Sequence, residues 1–193
     1  MDDRVSPLEL QPEQFRWMGH DLVDRLADFL AALPRGLVTP GETPAQVRDL
    51  LGRIGLPAQG ADPARLLEET ATLLLEHSLF NGHPRFMGYI TSSAAPIGAL
   101  ADLLAAVVNP NVGGWELSPV ASEIEAQAVR WIAELVGYPA GCGGLLVSGG
   151  NMANFICFLA GRRVMLGEEA RAAGLAGAGA ARARVYVSSD THT

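Results

Sequence analysis

The sequence predicts an α/β protein, and three observations carry that prediction. Leu145-Leu146-Val147 is a short apolar run after Gly141-Cys142-Gly143-Gly144, of the kind that forms a buried strand. It breaks at Ser148-Gly149-Gly150-Asn151 and resumes as Met152–Ala160, which has helical length and composition. A second β-branched and aromatic run, Val185-Tyr186-Val187-Ser188, reads as another buried strand, while the chain before residue 140 reads mainly as helices.

Strand, glycine turn and helix in succession aim free backbone N–H groups at one point. The start of a helix carries unpaired donors and partial positive charge, and glycine lets an anion come close. Ser148 and Asn151 add side-chain donors. The same residues also fit an ordinary strand-to-helix turn with Asn151 as N-cap, so by themselves they leave both readings open.

The helices follow in order. Pro12–Leu30 repeats Phe15, Met18, Leu22, Leu26 and Phe29 at steps of three and four, which predicts an amphipathic helix ending before Pro34-Arg35-Gly36. Thr43-Pro44-Ala45-Gln46 is a helix start with a Thr cap, Pro in the first turn and Gln at the third position; that short helix stops near Gly52. Asp62-Pro63 opens a third helix to about His77, with Leu66, Leu67, Leu73 and Leu74 as its apolar face. These three helices offer no evident core of their own, so they are expected to lie on the body of the protein or on a partner subunit. Asn81–Ile90 is turn-rich and aromatic and reads as an ordered loop. Pro96–Val108 is a helix ended by Asn109-Pro110-Asn111. Ser118-Pro119 opens a helix to Val136, with Ser118 capping, Ile124, Ala128, Trp131, Ile132 and Leu135 as a buried stripe, and Gly137 closing it. Arg162-Arg163 closes the helix after the glycine turn or lies within it on the way to Gly167. Residues 168–184 are Ala/Gly/Arg-rich and have no fixed reading.

Composition narrows the function. The chain has 193 residues, 49% of them hydrophobic, enough for one domain with a real core. A net charge of -7 and the absence of a basic cluster argue against a nucleic-acid partner. The two cysteines, Cys142 and Cys157, have no metal-like spacing and suit a reducing compartment. The start of the chain is not a signal peptide, and the apolar stretch around residues 97–108 is interrupted by Asp102 and too short to span a bilayer. A cytoplasmic protein without metal or membrane partner is expected. All 14 basic side chains other than histidine are arginine; without lysine, no side-chain amine is present to attack a carbonyl group.

Several stretches then point together. His83-Pro84-Arg85-Phe86-Met87-Gly88-Tyr89, Ser118-Pro119 with Glu125 and Trp131, Leu135-Val136-Gly137-Tyr138-Pro139, Ser148–Asn154 and Ser188–Thr193 resemble, in order and spacing, the N-terminal half of group II pyridoxal-phosphate-dependent amino-acid decarboxylases. The resemblance covers nearly the whole chain. It implies the aspartate-aminotransferase type of fold (fold type I), a homodimer with the active site at the subunit interface, and pyridoxal 5′-phosphate as cofactor. By the same resemblance, Ser148, Gly149, Gly150 and Asn151 hold the cofactor's phosphate, and His192 stacks on its ring and moves protons in catalysis. His83, Tyr89, Ile90 and Thr91 correspond to positions near the substrate. The family often has Ser-Glu where this chain has Asn151-Met152; Asn151 keeps a donor there.

The chemistry needs a phosphate cradle, a stacked ring, an acid at the pyridine nitrogen and a lysine for the cofactor's aldehyde. The first two are offered here, whereas the family's aspartate and lysine lie further along than residue 193. The sequence is therefore expected to be roughly the first two fifths of a decarboxylase, with a dimer-packing helical segment over 1–80 and the beginning of the cofactor-binding domain over 81–193. By itself it is expected to be inactive. The weak acidic chain offers no extra cationic site, which favours an aromatic or hydrophobic amino acid over glutamate. A related lyase or aldehyde synthase of the same fold, and a non-catalytic dimerising remnant, are the competing readings.

Plainer accounts stand beside several of these roles. His83 next to Pro84 equally anchors a loop, and Tyr89, Ile90 and Thr91 equally belong to a packed aromatic turn. Trp115 fits a pocket wall or a subunit interface. Glu123 and Glu125, two residues apart on a helix, face different directions and do not form a paired acid set.

Overall fold

A computed structural model of the chain describes residues 8–52, 55–172, 174 and 184–191. Seven helices are present among these residues: α1 Pro12–Ala32, α2 Pro44–Leu51, α3 Pro63–Glu76, α4 Pro96–Val108, α5 Pro119–Leu135, α6 Gly150–Leu166 and the single turn α7 Glu169–Ala172. The chain divides into two compact units, Met1–Leu104 and Ala105–Thr193.

In the first unit each helix begins where the local chemistry allows. The Gln14 carboxamide accepts the Gln11 N–H at 3.1 Å at the head of α1. Thr43 Oγ1 accepts from Gln46 N at 3.4 Å while Gln46 Oε1 accepts from Thr43 N at 2.8 Å, a reciprocal cap that satisfies two donors at the start of α2. Asp62 Oδ2 accepts from Arg65 N at 2.9 Å at the start of α3. Gly52, at φ 68°, closes α2 in a conformation that favours glycine.

Within the first unit, α1 and α3 pack on each other along one narrow seam. Met18, Leu22 and Arg25 of α1 meet Ala64, Leu67 and Ala71 of α3, and Met18 and Ala71 are buried. The spacing 18, 22, 25 and 64, 67, 71 puts each set on one face of its helix. Arg25 lies where the sequence pattern placed Leu26. Its guanidinium donates to Thr72 Oγ1 at 2.8 Å, and its stem covers the apolar seam. Leu66 and Leu74, expected on the inner face of α3, are exposed instead.

The loop after α1 is tied back to the end of α3. Phe29 and Phe80 pack with ring centroids 5.2 Å apart and tilted by 56°. Phe80 N donates to Val38 O at 2.9 Å, and His77 Nδ1 is 2.7 Å from Glu42 Oε1.

In the second unit, α5 ends in a left-handed Gly137 at φ 76°. Gly137 N donates to Glu134 O at 3.1 Å and Tyr138 N to Ala133 O at 2.8 Å, the paired bonds of a Schellman ending. The head of α5 differs from expectation. Ser118 occupies the cap position, but its side chain makes no capping bond. The stripe read as buried is also mostly exposed: Ile124, Trp131, Ile132 and Leu135 are open, Ala128 is half-buried, and Glu125 and Val129 at its flank are half-buried too. Apolar periodicity shows which face can be buried, but the neighbour that covers it must come from tertiary packing.

The two expected strands require the same correction. Residues 145–147 and 185–187 carry no regular secondary structure, no strand pairing is present among the described residues, and Leu145, Leu146, Val185, Tyr186 and Val187 are exposed. A strand exists only with a neighbour to complete its hydrogen-bond ladder, and two short segments do not make a stable sheet. The expectation of a real core fails likewise: among the described residues only Met18 and Ala71 are buried apolar residues, and no large side chain is fully buried.

The packing makes Met18 the apolar side chain whose loss should matter. Met18→Ala is expected to cost about 2 kcal/mol, near the low end for buried methionine because the seam is shallow. Leu74→Ala, on the open face of α3, should change stability by less than about 0.5 kcal/mol. Urea denaturation followed by helical circular dichroism measures both.

Candidate functional site

The residues around the glycine turn form an open donor cluster. Gly149 is the N-cap of α6 at φ 83° and ψ 158°, and α6 begins at Gly150. That backbone geometry is open essentially to glycine alone. Gly149 lies in the bend at 148–149 between the irregular segment 142–147 and the helix. Ala153 N donates to Gly149 O at 3.2 Å, which is the first bond of the helix. The N–H groups of the preceding turn have no partner within the helix, and no side chain caps them.

Asn151 therefore is not the N-cap; it lies inside the first turn. The helix starts two residues before Met152 and runs on through Arg162-Arg163 to Leu166. Ser148, Gly149, Gly150 and Asn151 are all exposed. A Cβ added at either glycine would meet nothing within 4 Å. The donor set is thus two side chains, Ser148 and Asn151, and the uncapped amides of one helix turn, with room for a ligand over the glycines. This set suits a phosphate, whose oxygens accept several N–H and O–H bonds at once.

The approach to this turn is held by α5, a feature the sequence reading missed. Glu125 Oε1 accepts the Leu146 N–H at 2.8 Å. Glu123 Oε1 accepts from Trp115 Nε1 at 2.9 Å. The two acids do face different directions, and each one has its own partner. Only the shared position of Glu125 in the family-like Ser118–Trp131 stretch hinted at a role; no local pattern joins residues 125 and 146.

In the first unit, His83 is 2% exposed. Its Nε2 lies 3.2 Å from Gly36 O and its Nδ1 accepts from Arg85 N at 3.0 Å. The neutral ring protonated at Nε2 satisfies both contacts. The Arg85 guanidinium also donates to Gly36 O at 3.0 Å. Both ring nitrogens of His83 are therefore engaged in fixing the turn at 82–86. The following loop projects outward: Met87, Tyr89 and Ile90 are more than nine-tenths exposed, and Thr91 is exposed. Tyr89 has φ 57°, a conformation rare for a non-glycine residue. His192 lies outside the described residues.

Residues 44–193 match the family described as the pyridoxal-dependent decarboxylase conserved domain, and the chain belongs to that family. It is 28% identical over 190 residues to an aromatic-L-amino-acid decarboxylase of Bacillus atrophaeus, covering 96% of this chain and 36% of that protein. Among solved structures it resembles the glutamate decarboxylase domain of a diaminobutyrate-pyruvate transaminase and L-2,4-diaminobutyrate decarboxylase from Vibrio parahaemolyticus. That match has a TM-score of 0.72 at 16% identity, over 88% of this chain and 38% of the other. It also resembles Oryza sativa TDC with PLP and tryptamine, at a TM-score of 0.71 and 22% identity, over 90% of this chain and 36% of the other. The chain thus has the fold of the N-terminal portion of a fold type I decarboxylase, without the sheet core, and spans about a third of the length of these relatives.

The backbone at the hinge can be tested directly. Gly149→Ala should destabilise the chain by about 1–3 kcal/mol, because a Cβ is strained at this φ and ψ although space is free. Gly150→Ala, inside the helix, should be neutral or stabilising by up to about 1 kcal/mol. Urea denaturation of the two variants checks the contrast.

Proposed function

We propose that this chain supplies the phosphate cradle of a pyridoxal-5′-phosphate-dependent decarboxylase acting on an L-amino acid, with an aromatic side chain favoured. The observation that carries the reading is the uncapped head of α6, entered through Gly149 at φ 83° and flanked by exposed Ser148 and Asn151. Family membership supports the choice of cofactor, and the aromatic preference is supported by the name of the Bacillus relative and by the tryptamine named for the rice structure.

In this reading the amides of the first α6 turn, the Ser148 hydroxyl and the Asn151 carboxamide hold the phosphate. The bound cofactor supplies an electron-accepting ring for the carbanion left when carbon dioxide departs. His192, which the resemblance matches to the ring-stacking histidine, would lie against that ring and could hold or pass on a proton at an imidazole nitrogen. Tyr89, Ile90 and Thr91 contact the substrate side chain, and His83 supports them by holding the preceding turn rather than by touching substrate. The exposed apolar faces of α1, including Phe15 and Trp17, are consistent with a homodimer in which the segment 1–80 packs across subunits. No helix among the described residues is long and apolar enough to cross a membrane, which suits the cytoplasmic reading.

Pyridoxine 5′-phosphate and pyridoxine share the ring and lack the aldehyde, so they separate phosphate recognition from reaction with amines. Equilibrium dialysis should show the chain preferring the phosphorylated form. Ser148→Ala combined with Asn151→Ala should weaken that binding about tenfold or more, as expected for two hydrogen bonds to a charged ligand. Equal binding of the two ligands by the unmutated chain would refute the cradle.

The 193 residues contain no lysine, so the isolated chain with pyridoxal phosphate should release no carbon dioxide from aromatic amino acids above the rate of the free cofactor. Sustained turnover by that chain in a radiometric carbon dioxide assay would contradict the assignment of roles.

A further inference from the structure

We infer that Glu125 is a positioning residue that sets the direction in which the chain enters the phosphate cradle; the inference rests on the reading of Ser148–Asn151 just given. Its carboxylate accepts the Leu146 N–H at 2.8 Å. One helical turn further along the same face of α5, Val129 presses on the same segment. A Cβ built at Gly144 would lie 2.8 Å from Val129 Cγ1, so any side chain there would make Val129 or the segment shift. Residues 125 and 129 thus hold the backbone at 146 and 144, two points that define a line.

That line leads to the cradle. Gly149 is three residues past Leu146, at most roughly 10 Å along the chain. A tilt at residue 146 is carried along that length and displaces the amides of Gly150 and Asn151 relative to a phosphate. Hydrogen bonds are directional and weaken steeply with misalignment. In a paired strand the ladder would fix this direction. Here, among the described residues, the bond from Leu146 N to Glu125 is the hydrogen bond that segment 143–148 makes. Glu125 is half-buried against the segment, and a carboxylate is a stronger acceptor for a backbone N–H than a neutral oxygen. Glu125 acts through the backbone and touches no ligand.

The test compares Glu125→Ala, Glu125→Gln and Glu134→Ala in the 193-residue chain. Glu134→Ala removes the same charge from an exposed position on α5. Two quantities are read: hydrogen exchange at the Leu146 amide, and dialysis affinity for pyridoxine 5′-phosphate and for pyridoxine. Glu125→Ala should speed exchange at Leu146 and weaken the phosphorylated ligand about tenfold, the scale of one charge-assisted hydrogen bond, while leaving pyridoxine unchanged. Glu125→Gln keeps an acceptor oxygen and should recover most of both properties. Glu134→Ala should match the unmutated chain.

Faster exchange at Leu146 with unchanged affinity for the phosphorylated ligand overturns the inference, as does equal weakening of both ligands, which marks a general loss of fold. Glu125→Gln binding as poorly as Glu125→Ala overturns it too, since charge rather than the held backbone would then matter. Failure of the cradle itself is recognised separately, because the unmutated chain would then show no preference for the phosphorylated ligand, and this inference would fall with it.

Discussion

Every backbone N–H and C=O that leaves water must find a partner, and this constraint explains most of what the chain does. The helices meet it internally and close their ends with nearby groups: Thr43 and Gln46 at α2, Asp62 at α3, and the paired Gly137 and Tyr138 bonds at α5. Segments without regular structure cannot meet it alone. Leu145, Leu146, Val185, Tyr186 and Val187 remain exposed, with no neighbouring strand paired with them among the described residues. At the head of α6 no side chain caps the first-turn amides, and the constraint is left to solvent or a ligand.

The helices of each unit divide their faces between two tasks. In the first unit, the Met18–Ala71 seam and the Arg25–Thr72 bond hold α1 against α3, while Phe15, Trp17 and Leu74 stay open. In the second unit, α5 turns Glu125 and Val129 toward the segment before the hinge and leaves Ile124, Trp131 and Leu135 exposed. A helix with one face engaged and an apolar face open is stable in isolation only to the extent that the engaged face suffices. This agrees with a chain that spans about a third of its relatives and carries their fold without their sheet core.

His83 ties a turn of the first unit together through both of its ring nitrogens. Both ring nitrogens are taken up by Gly36 and Arg85, which leaves the ring no free donor or acceptor. The rigid turn it creates presents Tyr89 at φ 57° and Ile90 to solvent.

The sequence by itself determined the helices and their ends, because caps, proline positions and glycine stops act within four or five residues. Pro44, Pro63, Pro96 and Pro119 each open a helix as their positions implied. Family membership was legible too, since it rests on ordered motifs rather than on packing. The sequence also located the Ser148–Asn151 hinge, although it misplaced the start of the helix by two residues. Tertiary structure decided which faces are covered, which extended segments find partners, and what holds the hinge. Those depend on contacts between residues far apart in the chain: no local pattern predicts that Arg25 rather than Leu26 faces α3, or that the N–H of Leu146 meets a carboxylate 21 residues earlier.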